Sequence, residues 1–161
     1  MIAVRVATDA DRDAIWTMLE PVVRAGEVYA LPRDMMREQG LAYWFADGNW
    51  VFVAEDDGQT VGSYYLRANQ KGGGSHVANC GYLTAEWALG RGVAGAMCGH
   101  SLTFAKSIGF RAMQFNFVVS TNEAAVHLWI KHGFEVLARL PRAFEHPTLG
   151  FVDALVMWRA L

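Results

Sequence analysis

The stretch Leu89-Gly90-Arg91-Gly92-Val93-Ala94-Gly95 lies between a strand-like segment, Val77 to Thr84, and a helix-like segment, Ala96 to Lys106. A strand, a glycine-rich turn and a helix start leave free backbone N–H groups at the positive end of a helix dipole, an arrangement that attracts phosphate. Glycine suits such a turn because a Cβ would hold a ligand's oxygens off the main chain, and because glycine accepts φ > 0. A phosphorylated cofactor is therefore expected here. Three asparagines offer a second kind of chemistry: Asn79 on the strand before the turn, Asn116 inside the apolar run Met113 to Val119, and Asn122 ahead of a late helix. A buried amide at Asn116 must find hydrogen-bond partners, either across neighbouring strands of the core or on a bound substrate.

Two cofactor classes fit the turn. Gly90-x-Gly92-x-x-Gly95 has the spacing of a dinucleotide fingerprint. That reading needs the turn to follow a first strand, with an acidic residue ~20 residues on to hold a ribose. Two or three strands precede the turn here, and Arg111 to Phe117 carries no acid, so the dinucleotide becomes a minor alternative. About thirty residues after the turn comes a second block, Thr121 to Phe134. Asn122 suits an N-cap, Ala125, Leu128 and Trp129 share one helix face, and Gly133 fits the helix end before a strand opening at Phe134.

Together the two blocks resemble the GNAT acyltransferase superfamily. Its pyrophosphate loop, [Gln/Arg]-x-x-Gly-x-[Gly/Ala], places Leu89, Gly92 and Ala94 at the three defined positions. Its later motif, Asn-x-x-Ala-x-x-Leu-[Tyr/Trp]-x-Lys-x-Gly-Phe, matches Asn122 to Phe134. Leu89 departs from the preferred Gln or Arg, and Arg91 is a candidate for the missing charge. The resemblance implies an α/β fold: a mixed central sheet with splayed central strands, flanked by helices on both faces. It implies acetyl-CoA as cosubstrate and no metal. The pantetheine arm would lie in the splay against Tyr82, Leu83 and Thr84, in the manner of an added strand. The pyrophosphate would rest on Leu89, Gly90, Arg91, Gly92, Val93, Ala94 and Gly95, with Asn122 and Trp129 completing the cofactor site.

Many members of the superfamily carry a tyrosine at the position of Trp129, where it protonates the departing thiolate. Tryptophan has no ionisable proton. Trp129 is therefore read as a wall of the acyl site, and a thiol of pKa ~8–9 as an adequate leaving group without a protein acid. The segment Asn116 to Asn122, with Trp129 and Val152-Asp153-Ala154, is also similar to a subgroup that includes the fungal azetidine-2-carboxylate acetyltransferases. That likeness implies that Asn79 and Asn116 serve substrate recognition and catalysis. Glu27 and Tyr29 fall in the loop that commonly closes over the acceptor in this superfamily. The resulting expectation is direct acetyl transfer to the amine of a small molecule, an amino acid or cyclic amino acid among the candidates. The alternatives are a catalytically silent acyl-CoA sensor and a protein N-terminal or lysine acetyltransferase.

The elements that must position these groups follow from pattern. The chain has 161 residues, 53% of them hydrophobic, which suits one acetyltransferase domain over 1–161. A net charge of −2 without a basic stripe argues against nucleic acid. No apolar run reaches the ~18 residues of a membrane span. A strand at Ile2 to Val6 argues against a leader, and Cys80 and Cys98 read as reduced thiols, so a cytoplasmic protein is expected. Thr8 or Asp9 caps a first helix through Ile15, Leu19, Val22 and Val23, and Pro32-Arg33-Asp34 opens a second through Met36 and Tyr43-Trp44. Trp50 to Ala54 and Val61 to Leu66 form a hairpin across Asp56 to Gln59. Tyr43-Trp44-Phe45 with Trp50 reads as core. The last strands are expected at Phe134 to Leu140 and Phe151 to Trp158. Arg142, Phe144, His146 and Pro147 lie between them, lining an acceptor pocket or forming the edge of a homodimer. His127 and His132, at i and i+5, share no ligand face.

Overall fold

In the computed structural model, which describes residues 1–161, the chain alternates strands and helices. The strands are β1 (Ala3–Val6), β2 (Trp50–Asp56), β3 (Gln59–Ala68), β4 (Val77–Thr84), β5 (Ala112–Val119), β6 (Glu135–His146) and β7 (Gly150–Ala160). The helices are α1 (Arg12–Ala25), α2 (Arg37–Trp44), α3 (Val93–Ser107) and α4 (Glu123–Lys131). All seven strands share one sheet in the order β1-β2-β3-β4-β5-β7-β6. Only β4 and β5 run parallel, because the α3 crossover joins them; the other neighbours are antiparallel. The α/β architecture with a mixed sheet is as expected.

Residue parity decides which helix covers which face. On β3, Ser63 and Tyr65 point to α2: the Trp44 indole donates to Ser63 Oγ at 3.0 Å, and Trp44 meets the Tyr65 ring edge-on. Tyr64 points the other way and bonds His100 of α3 at 2.7 Å. Gly62 lets α3 approach closely, since a Cβ there would come within 2.8 Å of Val93 Cγ1 and 2.9 Å of Met97 Cε. The sheet is thus buried on both faces, with Ile15, Leu19 and Trp44 on one and Met97 and Cys98 on the other.

Several boundaries differ from expectation. The second helix starts at Arg37, after Met36 has taken extended geometry with its N–H bonded to the Gln39 side chain at 2.9 Å. Pro32 instead begins a tight turn, its carbonyl accepting from Met35 N at 3.0 Å. β6 runs on to His146, so Arg142, Phe144 and His146 belong to a strand and only Pro147 to the turn. What disguised this strand is a bulge between Leu140 and Phe144. There Arg142 takes a φ of +51° and its N–H donates to Asp153 Oδ1 at 2.8 Å. Of the aromatic group, Trp44 is core, but Trp50 packs apart from it on Phe104 and Phe110.

The start of α1 is tied to the sheet by charge. The Arg5 guanidinium forks onto Asp11 at 2.8 and 2.9 Å and also reaches Glu55, while Thr8 N donates to Asp11 at 2.7 Å. The Arg5 guanidinium holds the buried Asp11 carboxyl down to about 2. An unfolded aspartate titrates near ~3.9, so this stabilisation is present above that pH and lost as pH falls towards 2. Asp11→Asn should therefore lower stability at pH 7 by about 1–3 kcal/mol, and by less near pH 3. Denaturant titrations at the two pH values check this; equal losses at both would contradict it.

Candidate active site

β4 and β5 pair only at Val77↔Ala112 and Ala78↔Met113, and then part, although β4 continues to Thr84 and β5 to Val119. Two features hold them open. On the α4 side, Tyr82, Phe115, Trp129 and Phe134 form an aromatic wedge, with centroids 4.9 Å apart for Tyr82–Trp129 and 5.0 Å for Phe115–Trp129. On β5, the register against β7 shifts between Phe115 and Val118. At the crotch Asn79, buried, donates its side-chain Nδ2 to the Gln114 carbonyl at 3.0 Å. That side-chain bond stands where the next main-chain bond of a continuous ladder would be.

The hydrogen-bond alternation of β4 shows which main-chain groups face the splay. Val77 O and Ala85 N bond β3-side partners, Asn69 and Val61, so odd-numbered residues face β3. The main-chain groups of Tyr82 and Thr84 therefore face the gap. Those of Leu83 are committed to Ser63, which corrects the expectation that all three residues present main chain to a ligand. Leu83 contributes an apolar side chain to the groove wall instead. One gap-facing group is already occupied: the Tyr29 hydroxyl donates to the Tyr82 carbonyl at 2.7 Å. Tyr29 is half-buried, and its desolvation pushes its pKa well up, so it remains a neutral donor.

A groove of about 980 Å³ runs through the splay. At one end lie Leu89, Gly90 and Ala94 with Asn122, Ala125 and Trp129; at the other lie Glu27, Tyr29, Tyr43, Tyr65, Arg67, Asn79 and Asn116. Gly90 and Gly92 take φ of +76° and +82°, and α3 starts directly after Gly92. Ala96 N is bonded to Gly92 O at 3.0 Å, and the earlier N–H groups of the turn precede any helical acceptor. No acidic residue occupies the first turn. The turn therefore presents main-chain N–H groups at a helix start with no acid beside them, and Val93, buried against Gly62, anchors it. Arg91 does not supply charge to it. Its guanidinium pairs with Asp56 and lies over Trp87, an ion pair that turns it away from the groove. Leu89 is exposed at the rim.

The asparagines divide. Asn122 caps α4, its Oδ1 accepting from Ala125 N at 3.4 Å. Asn116 is exposed rather than buried: it shares the face of Gln114 and lines the groove where β5 no longer pairs with β4. It accepts from Gln114 Nε2 at 3.0 Å and donates to Asn69 Oδ1 at 2.6 Å. Glu27 is exposed at the groove wall. Sequence reasoning missed Tyr65, which meets the Tyr43 hydroxyl at 3.0 Å. It also missed Gly81, where a Cβ would come within 2.5 Å of the Tyr65 ring. A glycine opposite an aromatic on the neighbouring strand was the available signal.

Burial also fixes the ionisation of the groove. Cys80 lines it, and its enclosure pushes the thiol well above its ordinary value, while Cys98 is pushed up to about 12. Neither is a thiolate at neutral pH, which disfavours a cysteine nucleophile. Burial, Lys131 and Arg159 hold His132, beside Gly95, below its ordinary value. No group of three or more His, Cys, Asp or Glu side chains is placed to hold a metal.

The sequence profile of the acetyltransferase (GNAT) family matches residues 15–134. The chain belongs to the GNAT family. It is similar to the N-acetyltransferase aca1 of Schizosaccharomyces pombe, 30% identical over 99 residues that make up 60% of this chain and 46% of that one, so the match spans about half of the relative. Among solved structures it is similar to a GCN5-related N-acetyltransferase from Kribbella flavida: 42% identity, TM-score 0.95, covering 99% of this chain and 98% of that one. A GNAT phosphinothricin acetyltransferase from Sinorhizobium meliloti, solved with acetyl-CoA, shares the fold at TM-score 0.86 and 19% identity, over 99% and 88% of the two chains.

A direct check of the anion site is Ala94→Asp. An acid in the first turn favours the helix dipole, so the melting temperature should hold. The same charge should repel a pyrophosphate and weaken acetyl-CoA at least tenfold by calorimetry; unchanged affinity would remove the loop from the cofactor site.

Proposed function

We propose that this GNAT protein is an acetyl-CoA-dependent N-acetyltransferase that transfers acetyl directly to the amine of a small molecule, an amino acid or cyclic amino acid. The observation that carries the reading is the splay. It sets the free Tyr82 N–H and the gap-facing main chain of Thr84 in line with the helix start at Gly92 to Gly95, the layout that an extended arm ending in a pyrophosphate requires. In this reading the loop from Leu89 to Gly95 holds the pyrophosphate, Asn122 and Trp129 flank the arm, and Glu27, Tyr29, Asn79 and Asn116 surround the acceptor.

Catalysis then rests on placement. Holding amine and thioester in contact is worth up to ~7–11 kcal/mol in favourable cases. The Tyr82 N–H, facing the gap, is placed to donate to the carbonyl oxygen as charge develops on it. The amine attacks once deprotonated, and the coenzyme thiolate leaves without a protein acid at Trp129. The neutral amides lining the groove favour an amino-acid acceptor over a cationic peptide. The two buried thiols suit a reducing, cytoplasmic setting. Exposed Val136, Leu137 and Phe151 on the β6–β7 arm favour a homodimer through that edge.

Thiol release from acetyl-CoA across a panel of amines and amino acids tests the activity; release with none of them contradicts it. The geometry also separates the two asparagines. Asn116→Ala should raise the acceptor KM roughly tenfold while the acetyl-CoA KM and the melting temperature hold. Asn79→Ala should lower the melting temperature as well, because the Gln114 carbonyl loses its donor. Equal behaviour of the two variants in melting and kinetics would contradict this division.

A further inference from the structure

Arg67 is the only cationic side chain lining the groove. Its surroundings differ from those of most arginines in the chain. Arg5, Arg12, Arg24, Arg37, Arg91 and Arg139 each lie within 4.0 Å of a carboxylate; Arg67 makes no ion pair. Its guanidinium carbon lies 5.8 Å from the centroid of the Tyr65 ring, which steadies the side chain without neutralising it. It stands directly opposite Asn79 in the β3–β4 register, so the two side chains rise from the same face at the crotch of the splay. Asn69, just past the end of β3, and Gln114 and Asn116 on β5 add uncharged amides to that face.

The position excludes the cofactor's pyrophosphate as its partner. Asn79 and Thr84 are separated by five residue steps of β4, or roughly 16 Å at a strand's rise, and the glycine turn begins beyond Thr84. Resting on the acetyl-CoA reading above, we infer that Arg67 is a specificity-determining residue that binds the carboxylate of the acceptor, making the acceptor an α-amino or α-imino acid. A guanidinium is a planar fork matched to a carboxylate, and the neighbouring amides bind that anion without competing charge. Glu27 also lines the groove and carries charge of the opposite sign, which suits a substrate carrying both an amine and an acid.

The test compares each amino acid with its own amide, alanine with alaninamide and proline with prolinamide, with kcat/KM expressed per free-base amine because loss of the carboxylate also lowers the amine's pKa. The unaltered protein should favour the acid in kcat/KM. Arg67→Met should cut that preference ten- to hundredfold, the range that a charge-assisted bond of about 1.5–3 kcal/mol converts to, chiefly through the acceptor KM. The acetyl-CoA KM and the melting temperature should not move. Arg67→Lys, which keeps a point charge but loses the fork, should recover part of the preference, a pattern that a merely structural arginine would not give. No preference for the acid in the unaltered protein, or the same preference in Arg67→Met, would overturn the assignment. If the unaltered protein acetylates no amine, the transferase reading fails, and Arg67 is judged by calorimetry of proline added to the CoA-saturated protein. Binding that disappears in Arg67→Met upholds the carboxylate site; equal binding, or none to either, overturns it.

Discussion

The parting of β4 and β5 is the constraint on which the rest of this molecule depends. A parallel pair in the middle of a sheet ordinarily continues its ladder, because each unpaired main-chain group away from water costs about 1–3 kcal/mol. Here the ladder stops after Ala78↔Met113. The cost is offset in three places: the Asn79 side chain satisfies the Gln114 carbonyl, the Tyr29 hydroxyl satisfies the Tyr82 carbonyl, and the wedge of Tyr82, Phe115, Trp129 and Phe134 fills the space beneath. What is left unsatisfied in the gap is the main chain that an extended ligand can pair with.

This view gives single residues two linked roles. Asn79 closes the crotch and also lines the groove. Tyr29 joins the loop after α1 to β4, so this part of the groove wall is fixed by the same bond that completes the strand's hydrogen bonding. Tyr65 spreads across Gly81, meets Tyr43 and supports Arg67, the one cation lining the groove. Such coupling makes the groove stiff, and a stiff groove suits a transfer whose rate derives from placement.

Much of this was legible in the sequence, for identifiable reasons. Gly90 and Gly92 lie in the left-handed region, and Asn122 and Gly133 bracket α4, because turns and caps are set by local chemistry that single residues report. The crossover helix between β4 and β5 follows from the same punctuation. The illegible parts depend on partners distant in sequence. The direction of Arg91 was decided by Asp56, 35 residues away, and the pairing of Tyr29 with Tyr82 spans 53 residues. The exposure of Asn116 was hidden because the apolar run around it reads as core, whereas β5 has parted from β4 by that point and leaves this face open. The length of β6 was hidden by the bulge at Arg142, whose N–H is held by a side chain of the neighbouring strand.

The central claim is that the cofactor arm enters the splay as an added strand. Amide hydrogen exchange, resolved residue by residue with and without acetyl-CoA, reads this directly. The account predicts slowed exchange at the Tyr82 and Thr84 amides and at Gly92 to Gly95, with little change at Leu83, whose amide already faces β3. Protection confined to residues outside the splay, or gained at Leu83 and absent from its neighbours, would contradict it.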